Sequence, residues 1–240
     1  MSVAIVTGAS RGLGAALAAT LARDGWSVII DARGEAGLIA ARDGAISGGP
    51  SGAKVVALAG DITDPGHRRA LVDEAERLGG LDLLVNNASR LGPSPQPNLT
   101  AYPPDELRGV FEANVLAPAA LTREAAGLLR DSPNPRVVNV TSDASVEAYE
   151  GWGGYGASKA ALDHLSAVLA VEEPGLRVWA IDPGDMRTQM QQEAFPGEDI
   201  SDRPPPESVV PNLMSLLNSD RPSGRYRLAE IALTGAEATR

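Results

Sequence analysis

A tyrosine and a lysine stand four positions apart in the stretch GWGGYGASKAALDHL, residues 151–165. Glycines precede Tyr155 and an apolar helical pattern follows Lys159, so we expect both side chains on one face near the start of a helix. An ammonium group held there favours the ionised phenol and lowers a tyrosine pKa that starts at about 10. The pair therefore predicts a proton donor and acceptor that works near neutral pH.

A glycine-rich turn, TGASRGLG (residues 7–14), is the second feature with chemical meaning. Its glycines permit a tight turn and close backbone approach, and the N–H groups of a following helix favour a pyrophosphate. A glycine triplet alone is weak evidence. Here it follows a predicted strand and opens a predicted helix, which is the context of a dinucleotide-binding site. We predict dinucleotide binding rather than a plain turn.

The elements that must position these groups are six short apolar runs that alternate with helical patterns. Such nearly continuous apolar runs are typical of parallel strands buried on both faces. The runs are VAIVT (3–7), SVIID (27–31), KVVALAG (54–60), LDLLVNN (81–87), RVVNVTS (136–142) and RVWAID (177–182), with helices expected near 12–24, 64–78, 104–130 and 154–172. The alternation predicts an α/β fold with one parallel sheet, in a single domain over residues 1–240.

The composition excludes several classes of protein. A net charge of −10 argues against a nucleic-acid partner. The chain contains no cysteine, and its two histidines, His67 and His164, are far apart, so we expect no metal site. The first residues show no leader pattern, and no stretch approaches the roughly 18 apolar residues of a membrane span. We therefore expect no membrane association and a cytoplasmic location.

Several motifs, in the same order along the chain, together resemble one known family. TGASRGLG resembles the TGxxxGxG fingerprint of short-chain dehydrogenases/reductases, in the family's classical subgroup, and Tyr155 and Lys159 match its YxxxK pair. Ser142 lies thirteen residues before Tyr155, where the family's catalytic serine is expected, and Asn114 in FEANVLAP matches its active-site asparagine. NNAS (86–89) and DPGDMRT (182–188) are similar to the family's NNAG motif and its PG turn. The resemblance covers nearly the whole chain and implies a Rossmann-type, doubly wound sheet flanked by helices on both faces.

The resemblance also implies an enzyme that interconverts a ketone or aldehyde and its alcohol by hydride transfer. Tyr155 would be the general acid/base, and Lys159 would lower its pKa and hold the nicotinamide ribose. Ser142 would hydrogen-bond the reacting oxygen, and Asn114 would position a proton-relay water. The alternative for Asn114 is a local cap at the helix kink expected at Pro118.

The end of the second strand, SVIIDAR (27–33), bears on the choice of cofactor. An acidic residue at that end binds the ribose 2′-OH in NAD-binding proteins. Alignment from Gly25 places Ala32 at this position and Arg33 directly after it. Arg33 and Arg11 could both form charge-assisted bonds to a 2′-phosphate. Asp31 is counter-evidence, because a register slip of one residue would let it repel the phosphate. We predict NADP(H), with NAD(H) as the alternative.

The predicted cofactor site combines the glycine turn, the arginines, an adenine-contacting pair and the family's later turns. It consists of Gly8, Ser10, Arg11, Gly12, Leu13, Gly14, Arg33, Asp61, Ile62, Asn87, Ala88, Tyr155, Lys159, Pro183, Gly184, Met186 and Thr188. Apolar and aromatic residues that follow these motifs are candidates for the substrate pocket, namely Leu91, Ala144, Tyr149, Trp152, Met190 and Phe195. We predict that residues 188–206 form a lid over this pocket.

Two other functions are compatible with some of these motifs. A sugar-nucleotide epimerase or dehydratase also uses YxxxK, but such relatives usually have a TGxxGxxG turn and a sizeable C-terminal domain. A non-catalytic NADP-sensing protein normally loses the tyrosine or the lysine, and this chain keeps both. The helix after Tyr155 is apolar nearly all round, which predicts that a second subunit covers one side. The resemblance likewise implies a homodimer or homotetramer. We expect His164 in a structural or interface role and His67 at the surface.

Overall fold

Seven parallel strands form a single sheet in the computed structural model, which describes residues 1–50 and 54–233. The strands are β1 (Val3–Val6), β2 (Ser27–Ala32), β3 (Val55–Ala59), β4 (Leu83–Asn86), β5 (Arg136–Val140), β6 (Arg177–Asp182) and β7 (Gly224–Arg227). Their order is β3-β2-β1-β4-β5-β6-β7, so the chain reverses direction across the sheet between β1 and β4. In sheets of this kind ligands bind at the reversal point, beyond the carboxyl ends of the strands.

Eight α-helices connect the strands in the part of the chain that the structure describes. They are α1 (Gly12–Arg23), α2 (Glu35–Gly48), α3 (Pro65–Leu78), α4 (Pro104–Phe111), α5 (Ala117–Asp131), α6 (Gly153–Glu172), α7 (Gln189–Ala194) and α8 (Val210–Leu217). A π-helical turn, Glu112–Leu116, joins α4 to α5. The predicted doubly wound α/β fold is confirmed. The sequence patterns missed α2, α7, α8 and β7.

The sheet is covered on both faces, and strand β1 shows how. Ala4 and Val6 belong to a core shared with α1 and α8, whereas Val3 and Ile5 belong to a core shared with α3 and α5. Successive residues of a strand point to opposite faces, so every position of β1 must be apolar. This burial explains the unbroken apolar runs in the sequence.

The start of α3 is defined by local chemistry and fixes the place of His67. Asp64 accepts a hydrogen bond from the Gly66 backbone N–H at 2.8 Å, and Pro65 occupies the first helical position. Both features are typical of helix starts. His67 is therefore held in the first turn of α3.

The predicted single domain agrees with the single sheet, although residues 51–53 and 234–240 of that prediction lie outside the described residues. The glycine-rich stretch ISGGPSGA (46–53), whose composition predicts a surface connection, also ends there, and its residues 46–48 belong to the end of α2. Among the helices that the structure describes, none combines the length and the apolar character that a membrane crossing requires.

Candidate active site

The carboxyl ends of the strands open into one large cleft of about 1420 Å³, and the glycine turn forms one of its walls. Gly8 has a φ of +66°, and a Cβ atom there would lie 2.7 Å from the Cα of Ala88. At Gly14 a Cβ atom would lie 2.6 Å from Nδ2 of Asn87. Only glycine fits at either position. Asn87 Nδ2 donates to the carbonyls of Thr7 at 2.7 Å and Gly8 at 3.1 Å, so the NNAS segment holds the turn in place.

The start of α1 faces this cleft. Arg11 occupies the N-cap position but forms no capping hydrogen bond with its side chain. The first backbone N–H groups of a helix lack intrahelical partners and carry partial positive charge, so they suit a phosphate. The Arg11 guanidinium is exposed and hydrogen-bonds Gln189 of α7.

Tyr155 and Lys159 lie in the first turns of α6 and are both buried, with 7% and 2% of their surfaces exposed. Lys159 Nζ donates to the Val140 carbonyl at 2.8 Å and lies 5.5 Å from the centre of the Tyr155 ring. Burial lowers the pKa of Lys159 to about 8, although Asp163 opposes this shift. The predicted placement of the pair on one helix face is therefore met.

The direction of the Tyr155 pKa shift differs from the prediction. Burial raises the pKa of this phenol, a hydrogen bond with Ser89 opposes the shift, and Asp143 and Asp182 add to it. The net shift is upward, opposite to the predicted lowering, because burial disfavours the phenolate. The stabilising effect of Lys159 on the phenolate stays a prediction. The phenol is held in its protonated form.

Ser142 follows β5 and lies at the rim of the cleft. Its Oγ donates to Asp143 Oδ1 at 2.8 Å and accepts from the Ala144 backbone N–H at 3.2 Å. The second oxygen of Asp143 accepts from the Tyr149 hydroxyl at 3.0 Å. The hydroxyl predicted to contact the reacting oxygen is thus oriented by the neighbouring carboxylate.

Asn114 lies in the π-helical turn, fully buried and behind the wall of the cleft. Its Oδ1 accepts from the Arg90 backbone N–H at 2.7 Å, and its Nδ2 donates to the Arg90 carbonyl at 2.9 Å and Ser158 Oγ at 3.0 Å. Pro118 has no N–H, so it cannot make the usual helical bond to the Asn114 carbonyl four residues earlier. The hydrogen bonds of the Asn114 side chain connect the segment after β4 with α6. The water-positioning role of Asn114 stays a prediction.

Most predicted cofactor residues line the cleft. Of the seventeen, Gly14 alone is absent from the lining, because it packs beneath the turn against Asn87. Among the substrate-pocket candidates, Leu91, Trp152 and Met190 line the cleft. The other three do not: Ala144 packs against Tyr155, Phe195 packs against Trp152 with ring centres 5.9 Å apart, and Tyr149 is 43% exposed.

The predicted lid contains α7, which begins after Thr188. Thr188 Oγ1 accepts from the Gln191 backbone N–H at 3.2 Å and so starts the helix. Met190 and Ala194 of α7 pack against the cluster that contains Tyr155. Helix α7 therefore packs beside Tyr155 at one end of the cleft, and the role of residues 188–206 as a lid stays a prediction.

Arg225 of β7 is a residue of the site that sequence reasoning missed. Its guanidinium donates to the Ser142 carbonyl at 2.9 Å, to Asp163 at 3.1 Å and to Asp182 at 3.3 Å. It thereby connects the end of β5 with α6 and β6, behind the residues that the sequence predicts to be catalytic. The strand that carries it is short and polar, and no signal in the sequence pointed to it.

The burial of the His67 side chain differs from the prediction. Its side chain is 8% exposed, and Nε2 lies 3.0 Å from Oδ2 of Asp31. The prediction from the sequence placed this side chain at the surface. The sheet order, which the sequence does not state, places the first turn of α3 beside the end of β2.

A parallel sheet with a glycine turn at its reversal point, facing a serine, a tyrosine and a lysine, defines a dinucleotide-dependent oxidoreductase. A family model described as short chain dehydrogenase matches residues 2–199. The chain belongs to the short-chain dehydrogenase family, as its motifs predicted. No group of three or more metal-ligating side chains occurs among residues 1–50 and 54–233.

Two relatives and one solved structure illustrate the similarity. A sepiapterin reductase from Mus musculus is 38% identical over 203 residues, which cover 80% of this chain and 77% of that protein. A benzil reductase from Saccharomyces cerevisiae that forms (S)-benzoin is 36% identical over 221 residues, covering 88% and 80%. A short chain dehydrogenase from Shigella flexneri, crystallised with NADP, is 29% identical with a TM-score of 0.87, covering 95% and 97%.

Proposed function

We propose that this protein is an NADP(H)-dependent carbonyl reductase that interconverts a ketone or aldehyde and its alcohol by hydride transfer. The observation that carries the proposal is a single cleft in which Ser142 and the Tyr155–Lys159 pair face the glycine turn. A buried, protonated phenol beside a dinucleotide site is suited to donate a proton to a carbonyl oxygen. The relatives named as reductases support the same reaction class.

The cleft fits a nicotinamide dinucleotide in several respects. Gly8 and Gly12 have no side chains, so a ligand in the cleft can approach their backbone closely. The start of α1 has no side-chain cap, so its N–H groups can bind a pyrophosphate. Arg33 is exposed on the cleft wall, at the end expected to hold the adenosine ribose. The neighbour crystallised with NADP supports the choice of the phosphorylated cofactor.

The proposed mechanism assigns each step of proton handling to a residue of this chain. When bound, the nicotinamide ring supplies or accepts the hydride at the substrate carbon. Tyr155 would give its phenolic proton to the carbonyl oxygen, and Lys159 would hold the ribose and stabilise the phenolate that forms. Ser142 would donate to the same oxygen, for which its hydroxyl must turn away from Asp143. Tyr155 should contribute about 10²–10⁴ in rate.

The substrate end of the cleft is apolar and aromatic, formed by Leu91, Trp152 and Met190. Trp152 lies against Tyr155 with ring centres 5.8 Å apart, so a flat apolar substrate could stack beside the proton donor. Benzil and sepiapterin are the first carbonyl compounds to test, since two relatives are named for their reduction. The test is consumption of NADPH with a panel of ketones and aldehydes that includes both.

The decisive variant is Tyr155→Phe, which removes the proton and keeps the ring. Turnover should fall by at least about a hundredfold, the loss typical of a missing general acid, while NADPH binding measured by calorimetry stays near the wild-type value. Tyr226→Phe is the matched control, because Tyr226 lies outside the cleft lining and its hydroxyl donates to the Pro222 carbonyl at 2.9 Å, away from the proposed catalytic residues. Near-normal turnover by Tyr155→Phe on an accepted substrate would contradict the proposal.

We also propose that the enzyme is a homodimer or homotetramer. The outer faces of α5 and α6 form an apolar groove of about 300 Å³ whose lining includes Pro118, Leu165 and Val168. Leu165 and Val168 are 41% and 38% exposed, which supports cover by a second copy. Light scattering of the wild type and of Val168→Glu tests this, because a charge in a buried interface should lower the assembled mass.

A further inference from the structure

The carboxylate of Asp31 lies at the adenosine end of the cleft, where a negative charge opposes a phosphorylated ribose. Asp31 is the second-to-last residue of β2 and borders the cleft together with Ala32 and Arg33. An acid at this end of the strand usually binds ribose hydroxyls and repels a 2′-phosphate. A strand that ends Asp-Ala-Arg therefore carries conflicting signals, one for each cofactor.

The structure resolves the conflict by turning the carboxylate inward. Asp31 is only 1% exposed. Its Oδ1 accepts the Gly8 backbone N–H at 2.7 Å, and its Oδ2 lies 3.0 Å from Nε2 of His67. A carboxylate oxygen can only accept, so the tautomer of His67 that fits this contact is the one with the hydrogen on Nε2. Both carboxylate oxygens are thus engaged by the protein.

His67 occupies a place that is shaped for an imidazole ring. A Cβ atom built on Gly60, at the end of β3, would overlap this ring, so the glycine leaves room for it. The start of α3, fixed by Asp64 and Pro65, holds the ring against β2. Arg33 is exposed and close enough to Asp61 to contribute to lowering the pKa of that carboxyl, after the larger effect of the Thr63 backbone N–H. The arginine is therefore exposed on the cleft wall, whereas the Asp31 carboxylate is buried against Gly8 and His67.

We propose that His67 is a specificity-determining residue for the cofactor. By donating to Asp31, it holds that carboxylate away from the ribose, so that Arg33 can bind a 2′-phosphate. His67 contacts no cofactor in this role and acts as a positioning residue through Asp31. This role of His67 rests on the proposed NADP(H) dependence and explains how an acidic residue at the end of β2 is compatible with it.

The test is a pair of variants of similar size that differ in one property. His67→Met removes the N–H donor, whereas His67→Gln keeps one. Dissociation constants for NADPH and for NADH are measured by calorimetry on the purified full chain. We expect His67→Met to lower the preference for NADPH over NADH by about tenfold, since an unpaired carboxylate repels the extra phosphate. His67→Gln should keep most of the wild-type preference.

A double variant separates this role from simple packing. In Asp31→Asn the acceptor for Gly8 remains but the charge is gone, so adding His67→Met should leave the NADPH preference at or above the wild-type level. This double variant also buries no unpaired charge, and it stays informative if His67→Met alone does not fold. If both nucleotides weaken equally in His67→Met, or if the double variant loses the preference too, the proposal is overturned.

These outcomes are distinct from failure of the proposed function. A wild type that prefers NADH would overturn both the NADP(H) dependence and the role of His67. A wild type that prefers NADPH, with the same preference in every variant, would overturn the role of His67 alone.

Discussion

Lys159 should make the stability of the protein depend on pH, in a direction that follows from its burial. The side chain is 2% exposed, and burial lowers its pKa from 10.5 to about 8. At pH 7 a shift of that size corresponds to roughly 3 kcal/mol of lost folding stability, because the folded state holds the proton less tightly than the unfolded chain. The residue proposed to assist catalysis is therefore costly to the fold.

The sign of the pH dependence is fixed by the order of the two pKa values. Between about pH 8 and 10.5 the unfolded chain binds more protons at this lysine than the folded protein. Stability from this group therefore rises with pH across that window, and its cost is greatest below it. Lys159→Met removes the cost but leaves the Val140 carbonyl without its donor, a loss of about 1–3 kcal/mol. The variant should gain up to about 2 kcal/mol at pH 7 and lose that advantage by pH 10.5.

Urea unfolding of the wild type and the variant at a series of pH values from 7 to about 10 measures this difference directly. Lys54, the chain's other lysine, is exposed, so Lys54→Met is the matched control and should change stability little at any pH. The reasoning is refuted if Lys159→Met destabilises the protein at neutral pH. It is also refuted if the difference from the wild type does not shrink as the pH rises.

Three further predictions concern the walls of the cleft. Asp143→Asn should lower the pH at which the rate of alcohol oxidation increases, because Asp143 contributes to the raised pKa of Tyr155. Asp185 lines the same cleft but does not contribute to this pKa, so Asp185→Asn should leave the pH profile unchanged. Gly14→Ala should destabilise the fold by about 1–3 kcal/mol through overpacking, whereas Gly44→Ala, in α2 with open space around it, should stabilise it by about 0.5–1 kcal/mol in thermal unfolding. Hydrogen exchange in the predicted lid should slow when NADPH and substrate bind together; unchanged protection would contradict a closing lid.

The sheet, the glycine turn and the Tyr155–Lys159 pair could be predicted from the sequence because each depends on a local pattern of residues. A strand buried on both faces must be apolar at every position, as in β1. A turn residue whose Cα lies directly against another backbone segment must be glycine, as at Gly8. Residues four apart on a helix must share a face. None of these inferences requires knowledge of what packs against what.

The missed elements are those whose stability comes from neighbours. Helix α2 contains three glycines and only two buried residues, so neither propensity nor periodicity marks it. Strand β7 reads GRYR and exists because it pairs with β6, Trp179 with Gly224 through Asp182 with Arg227. The role of Arg225, which donates to the Ser142 carbonyl, could not be predicted for the same reason. The Asp31–His67 contact joins residues 36 positions apart and depends on the order of the strands.

The error in the Tyr155 pKa has the same origin and a functional consequence. Spacing placed an ammonium near the phenol, but only the packing reveals that both groups are buried, which favours the uncharged form of each. A protonated phenol is the form that gives a proton to a carbonyl oxygen, whereas alcohol oxidation requires the phenolate that burial disfavours. Burial thus favours the reductive half of the proposed reaction at neutral pH. The role that we propose for Lys159 is then to stabilise the phenolate once the proton has left, and the burial that this role requires also lowers the stability of the fold.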